Sequence, residues 1–172
     1  HNRLGFDGTY YQTKTIDQIL PVTISTATGY SSKFLNSGTV ENKGFEFSLN
    51  GTPVSTTNFT WKLTANWSKN KSKVTELFKD ASGQQSTNLQ LGSFQGGITS
   101  NATLNEPYGM LRGTDFIYND KGQKVVGADG FYLKTNTSNV AIGNPNPDWL
   151  AGINNTFKFR DVSLSFLLDI RY

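Results

Sequence analysis

The stretch "DWLAGINNTFKFRDVSLSFLLDIRY", residues 148–172, decides how the chain is read. With Arg160-Asp161 as the turn, Phe159 faces Val162, Phe157 faces Leu164 and Asn155 faces Phe166. Further out Ile153 faces Leu168, Ala151 faces Ile170 and Trp149 faces Tyr172. Nearly every pair on that side is apolar. The other side carries Lys158, Thr156, Asn154, Gly152, Ser163, Ser165, Asp169 and Arg171, with Leu150 and Leu167 as exceptions. Strict alternation is the mark of a β-strand with one apolar face. Each arm runs to about 11 residues, against about 5–6 for an ordinary globular strand. A tilted crossing of a membrane needs roughly 9–11. The apolar side closes on Trp149 and Tyr172, and such rings favour the lipid–water boundary because body and tip want different surroundings.

A second stretch repeats the pattern. In "NFTWKLTANWSKNK", residues 58–71, Phe59, Trp61, Leu63, Ala65 and Trp67 alternate with Thr60, Lys62, Thr64, Asn66 and Ser68. Phe59 and Trp67 bracket the apolar run. Residues 3–12 and 40–50 alternate too, with Leu4, Phe6 and Tyr10 in the first and Phe45, Phe47 and Leu49 in the second. Five strands are therefore expected, at about 3–12, 40–50, 58–70, 149–159 and 162–172. Residues 13–39 read as a loop, 51–57 as a compact turn, and 72–105 as polar with no sustained period. Weak strand signals occur in 106–135, where "NDKG" and "GADG" are hairpin-turn chemistry. No amphipathic helix and no internal repeat is discernible.

Composition agrees with an all-β chain. Of 172 residues 35% are hydrophobic and 17% charged, both low for a globular protein, yet 13% are aromatic and 17 are Gly. There is no Cys, which excludes disulfide scaffolds and thiolate metal sites. The net charge of +3 is mild, and Lys69, Lys71 and Lys73 read as a solvated strand end, not a nucleic-acid surface. No run approaches the roughly 18–20 apolar residues of a membrane helix. The chain opens on His1 without a start methionine, as a fragment does.

In hydrocarbon no backbone polar group stays unpaired, so membrane strands close into barrels of at least eight. Five strands cannot close one. The expectation is an all-β, antiparallel segment of a large transmembrane β-barrel with long extracellular loops. Short turns at 51–57 and 160–161 then lie on the periplasmic side, and residues 71–148 form an extracellular excursion. The competing reading is a soluble extracellular β-sandwich that binds carbohydrate, because a sandwich also leaves one face of each sheet polar.

Several motifs carry a family resemblance: "ILPV" (19–22), "TGYSS" (28–32), "VENKGFEFSLNGTPV" (40–54), "SKVTEL" (72–77), "EPYG" (106–109), "GADG" (127–130) and "GNPNPDW" (143–149). In order and spacing the chain resembles the SusC/RagA family of TonB-dependent outer-membrane transporters from Bacteroidetes. The resemblance implies that residues 1–172 are a piece from the C-terminal half of such a barrel, in a Gram-negative outer membrane. It implies import of nutrients, oligosaccharides first and peptides second. It implies a SusD-like lipoprotein as lid and TonB as the energy-coupling partner, both acting through parts outside this segment.

Other chemistry is thinly supplied. Glu41 and Glu46 sit on opposite faces of one strand, so they cannot flank a glycosidic bond. Asp115, Asn119, Asp120 and Asp129 lack the spacing of a calcium loop and read as turn residues. His1 is the sole histidine, so no catalytic triad or imidazole metal site has a candidate. No phosphate-cradling glycine loop occurs, and no cofactor or nucleic acid is expected. "GNPNPDW" reads as a loop stiffened by two prolines. The ligand-binding candidates are loop aromatics, Tyr30, Tyr108, Phe116 and Tyr118, with Phe94 and Tyr132 beside them.

Overall fold

The computed structural model describes residues 3–24, 26–36, 38–80 and 82–172, so His1 lies outside the described residues. The strands are β1 (Leu4–Thr15), β2 (Ile19–Thr23), β3 (Ser32–Asn36), β4 (Gly38–Ser55), β5 (Phe59–Leu77), β6 (Asn88–Ser93), β7 (Thr99–Thr103), β8 (Met110–Gly113), β9 (Val140–Gly143), β10 (Leu150–Phe159) and β11 (Val162–Arg171). Helical structure among the described residues is limited to two single 3-10 turns, Thr26–Thr28 and Gln95–Gly97. The contacts divide the chain into two units: His1–Thr13, Asn42–Lys71 and Asn146–Tyr172, and Lys14–Glu41 with Ser72–Pro145.

The first unit is one sheet of five strands in the order β1-β4-β5-β10-β11. In β10 and β11 the register is the one the alternation implies, with Phe159↔Val162, Phe157↔Leu164, Asn155↔Phe166 and Ala151↔Ile170. The ladder continues past the strand ends, where Trp149 and Tyr172 exchange backbone hydrogen bonds of 3.2 and 3.1 Å. β10 pairs directly with β5, Trp61↔Phe157 and Leu63↔Asn155, so no other strand of the sheet comes between them. β4 and β5 exceed the sequence reading. β4 carries through Gly51, Pro53 and Ser55, which taken alone are turn formers, because it stays paired with its neighbour. The turn shrinks to residues 56–58, closed by Thr56 N–H to Phe59 O at 2.8 Å and Phe59 N–H to Thr56 Oγ1 at 3.0 Å.

The second unit holds the core. Val22, Val40, Val74, Leu77, Leu89 and Ala102 are buried together, with Val74 fully enclosed. Around them lie the β2–β3 hairpin and a four-stranded sheet, β6-β7-β8-β9. The hairpin corrects the reading of 13–39 as loop; β6 and β7 lie in 72–105, where the sequence shows no sustained period, and β9 lies within 136–148, which reads as a turn-rich loop. These strands are short; β6 lends Leu89 and Leu91 to the core, β7 lends Ala102 and β9 none, so no sustained alternation marks them. The "EPYG" segment is locked in the same unit. Val74 N–H donates to Glu106 O at 2.9 Å, and Arg112 Nη2 donates to both oxygens of the Glu106 carboxylate, at 2.6 and 2.7 Å.

Residues 115–135 contain a pseudo-threefold motif, where the sequence reading found no repeat. Three arms, 116–118, 124–126 and 132–134, pair end to end through the bridges Tyr118↔Lys124, Val126↔Tyr132 and Phe116↔Lys134. Their central residues close a triangle of hydrogen bonds: Val125 N–H to Ile117 O, Leu133 N–H to Val125 O and Ile117 N–H to Leu133 O, each 2.9 Å. The "NDKG" and "GADG" turns join the arms, with Gly122 and Gly130 at φ of 72° and 81°, where a Cβ would be strained. What recurs is the backbone pairing. Only the central position, Ile117, Val125 and Leu133, is apolar in all three arms, too sparse to register as a sequence repeat.

Candidate functional site

Alternation divides the five-stranded sheet into two chemically distinct faces. On one, rings meet across strands: Phe47 stacks on Trp67 (5.6 Å between centroids), Trp61 on Phe157 (5.7 Å) and Trp149 on Tyr172 (5.8 Å), and Tyr10 lies tilted against Phe45 (4.9 Å). Within the described residues of this unit nothing covers that face: Leu164 is 61% exposed and Phe45 48%. An uncovered apolar face of this extent is untenable in water. From Phe59 to Trp67 the strand rises roughly 27 Å, which at a tilt of about 40° spans roughly 21 Å, most of the apolar band of roughly 25 Å on an outer-membrane barrel. The single polar group inside the face is satisfied: Trp61 Nε1–H donates to Asn155 Oδ1 at 3.2 Å, and Asn155 is buried. Such a pair keeps two polar atoms in an apolar setting at little cost.

The other face is polar. Lys62, Thr64, Asn66, Glu46 and Ser48 alternate with the apolar positions, and Thr156 bonds Ser165 across the hairpin at 3.0 Å. A shallow cavity of about 380 Å³ lies here. Asp7, Glu46 and Asp169 line it, together with Asn66 and Ser48. Asp7 and Asp169 escaped the sequence reading as site residues, although the polar positions of alternating strands were the available signal. Across this face Gly44 joins three strands. A Cβ there would collide with the Tyr11 ring and lie 2.7 Å from the Lys69 carbonyl oxygen, so only glycine fits. The Tyr11 hydroxyl donates to Asn70 Oδ1 at 3.2 Å. That packing gives the glycine of "ENKGFE" its reason: an aromatic ring lies over a glycine and supplies the packing it lacks.

The loop aromatics do not converge. Tyr30 is 72% exposed and Tyr118 is 48% exposed. Tyr108 packs half-buried against the core cluster, and burial pushes its hydroxyl pKa up. Phe116 is already engaged: Lys124 Nζ lies 3.9 Å from its ring centre and Tyr132 meets its edge at 5.7 Å. Phe94 is exposed. Asp115 and Asp129 accept backbone N–H bonds from Phe116 and Phe131, and Asn119 accepts from Lys121 and Gln123. They act as turn caps. Asp80 does the same for Ser82 and Gln84, and the Ser82 hydroxyl and these amides hold its carboxyl below the usual range. Among the described residues no three His, Cys, Asp or Glu side chains converge in a way that could hold a metal.

A long-stranded single sheet, apolar and aromatic on one side and polar on the other, with no second layer, is a piece of membrane barrel wall. Comparison with known proteins agrees. No family model matches the chain. A TonB-dependent receptor of Formosa agariphila is 33% identical over 175 residues, covering 91% of this chain and 17% of the receptor. A second from the same organism is 30% identical over 98% of the chain and 18% of its own length. The TonB-dependent receptor SusC of Bacteroides thetaiotaomicron is 39% identical over 74 residues, 42% of this chain and 7% of its own length. Among solved structures, a chain of the RagAB peptide transporter superposes with a TM-score of 0.70 at 20% identity, over 98% of this chain and 19% of that one. The closed-closed state of the RagAB peptide importer gives 0.72 at 18% identity, again over 98% of this chain and 19% of that one. The chain belongs to the TonB-dependent receptors. It spans 17–18% of the length of these curated relatives.

Proposed function

We propose that residues 1–172 are a stretch of barrel wall from the C-terminal half of a TonB-dependent importer in the outer membrane of a Gram-negative, Bacteroidetes-like cell. The whole receptor imports oligosaccharides, with peptides as the second substrate class, beneath a SusD-like lipoprotein lid and under the pull of TonB. The observation that carries this reading is the uncovered apolar face, bracketed by rings and backed by a polar face. The curated relatives are named as receptors, and the superposed structures as a peptide transporter and importer. In this reading the apolar face touches lipid. The polar face, with Lys62, Glu46 and Asn66, looks into the lumen or onto whatever fills it. Residues 71–148 stand outside the cell, and Tyr30, Tyr108, Phe116 and Tyr118 are the aromatic positions offered to ligand, with Tyr30 and Tyr118 the more open. The segment supplies walls and loops, not catalysis.

Orientation is tested in intact cells carrying the full-length receptor with its other cysteines removed. Lys121→Cys is expected to react with a membrane-impermeant maleimide, whereas Asp161→Cys reacts only after the outer membrane is opened. The reverse pattern, or equal labelling of both, ends the assignment. Uptake of labelled oligosaccharides and peptides, with and without the receptor, reads the substrate class. Import of both unchanged on deletion ends the transport reading.

A further inference from the structure

Three lysines sit at the wrong place for a simple solvated strand end. In β5 the apolar face runs Trp61, Leu63, Ala65, Trp67, and the same parity continues to Lys69 and Lys71. In β4 it runs Leu49, Phe47, Phe45 and then Lys43. Lys43, Lys69 and Lys71 therefore lie on the lipid-facing side, at one rim. That rim carries rings as well. Phe47 stacks on Trp67, and Tyr10 meets Phe45 at a tilt. Leu150 pairs with Ser68, so one step further Lys69 and Trp149 are neighbours, and Trp149 stacks on Tyr172. At the opposite rim the apolar parity ends on Phe59, Phe159 and Val162 with no lysine. Lys73 shares their parity further along β5, in the second unit; within the β5–β10 ladder Lys62 and Lys158 have the opposite parity and share the polar face.

We propose that Lys43, Lys69 and Lys71 hold the headgroup phosphates of anionic lipid around this rim of the barrel. The inference rests on the membrane reading above. Rings mark the depth where hydrocarbon ends, so ammonium groups on the same face, level with the rings or just past them, meet headgroups. A compact ammonium with three donors suits a phosphate oxygen, and a long aliphatic stem can lie along the apolar surface. Each lysine at an anionic membrane surface strengthens attachment about fivefold. Two carboxylates border the patch in sequence, Glu41 two residues beyond Lys43 and Asp148 before Trp149. They narrow the basic band to the three positions nearest the rings.

The test is native mass spectrometry of the full-length, detergent-solubilised receptor given equal amounts of phosphatidylglycerol and phosphatidylcholine. The wild type is expected to retain phosphatidylglycerol preferentially. Replacing Lys43, Lys69 and Lys71 by Gln is expected to lower that preference at least about fivefold. Lys71→Gln alone, at an exposed position, shifts it the same way where the triple variant does not assemble. Gln at Lys62 and Lys158 leaves the ratio unchanged. A triple variant with the wild-type ratio overturns the proposal, as does an equal loss from the polar-face pair. Wild-type receptor that migrates as a folded, heat-modifiable barrel but shows no lipid preference overturns the proposal and leaves the membrane reading standing. Wild-type receptor that retains neither lipid and never becomes heat-modifiable sinks both.

Discussion

Gly44 carries more of the sheet's geometry than any large residue near it. Its missing side chain lets the Tyr11 ring lie flat across β4 and reach Asn70 on β5. Gly44→Ala puts a methyl against that ring and against the Lys69 carbonyl. The ring can swing aside, but the carbonyl is backbone and cannot. The substitution is expected to destabilise the barrel by about 1–3 kcal/mol, the usual cost of overpacking. Gly92→Ala, where no atom lies within 4 Å of the added methyl, serves as the neutral comparison. The midpoint of heat-modifiable migration of the full-length receptor reads both. From the sequence, Gly44 was visible only as part of a motif. Nothing local shows that a tyrosine 33 positions earlier would need its space, because that contact exists only once β1 and β4 pair.

At the level of the element, the β10–β11 hairpin was almost wholly legible. Its alternation is clean, its register follows from the turn, and both are as read. The lipid assignment makes adjacent residues behave oppositely. Leu164→Arg points a charge at hydrocarbon and is expected to cost about 2–4 kcal/mol near the bilayer midplane. Ser165→Arg points into the polar side and is expected to cost under about 0.5 kcal/mol. The yield of folded receptor in purified outer membranes checks the pair, and equal yields would count against the facing. Asn155 was less legible. It breaks the apolar pattern, yet it answers the indole N–H of Trp61 on the neighbouring strand, 94 residues away in sequence. The short strands of the second unit were missed for a related reason: their pairing is set by a small shared core around Val74, not by any pattern of their own.

Taken whole, the sheet has two free edges, β1 and β11, and one uncovered apolar face. The 172-residue piece expressed without detergent is therefore expected to aggregate in a concentration-dependent way, by edge pairing and by the aromatic face. Light scattering after gel filtration measures this, and a monodisperse monomer that melts cooperatively would favour the soluble sandwich. The direct β5–β10 pairing belongs to this scale too. Residues 78–149 separate the two strands in sequence, yet the ladder puts no strand between them in the sheet. Local chemistry determined what each strand offers: side-chain period is two, so residue order fixes both faces, the aromatic brackets and the hairpin register. Which strands lie side by side, which glycine must stay bare and what Asn155 bonds to were decided only by tertiary pairing, because those contacts join residues far apart in the chain and leave no local periodicity to read.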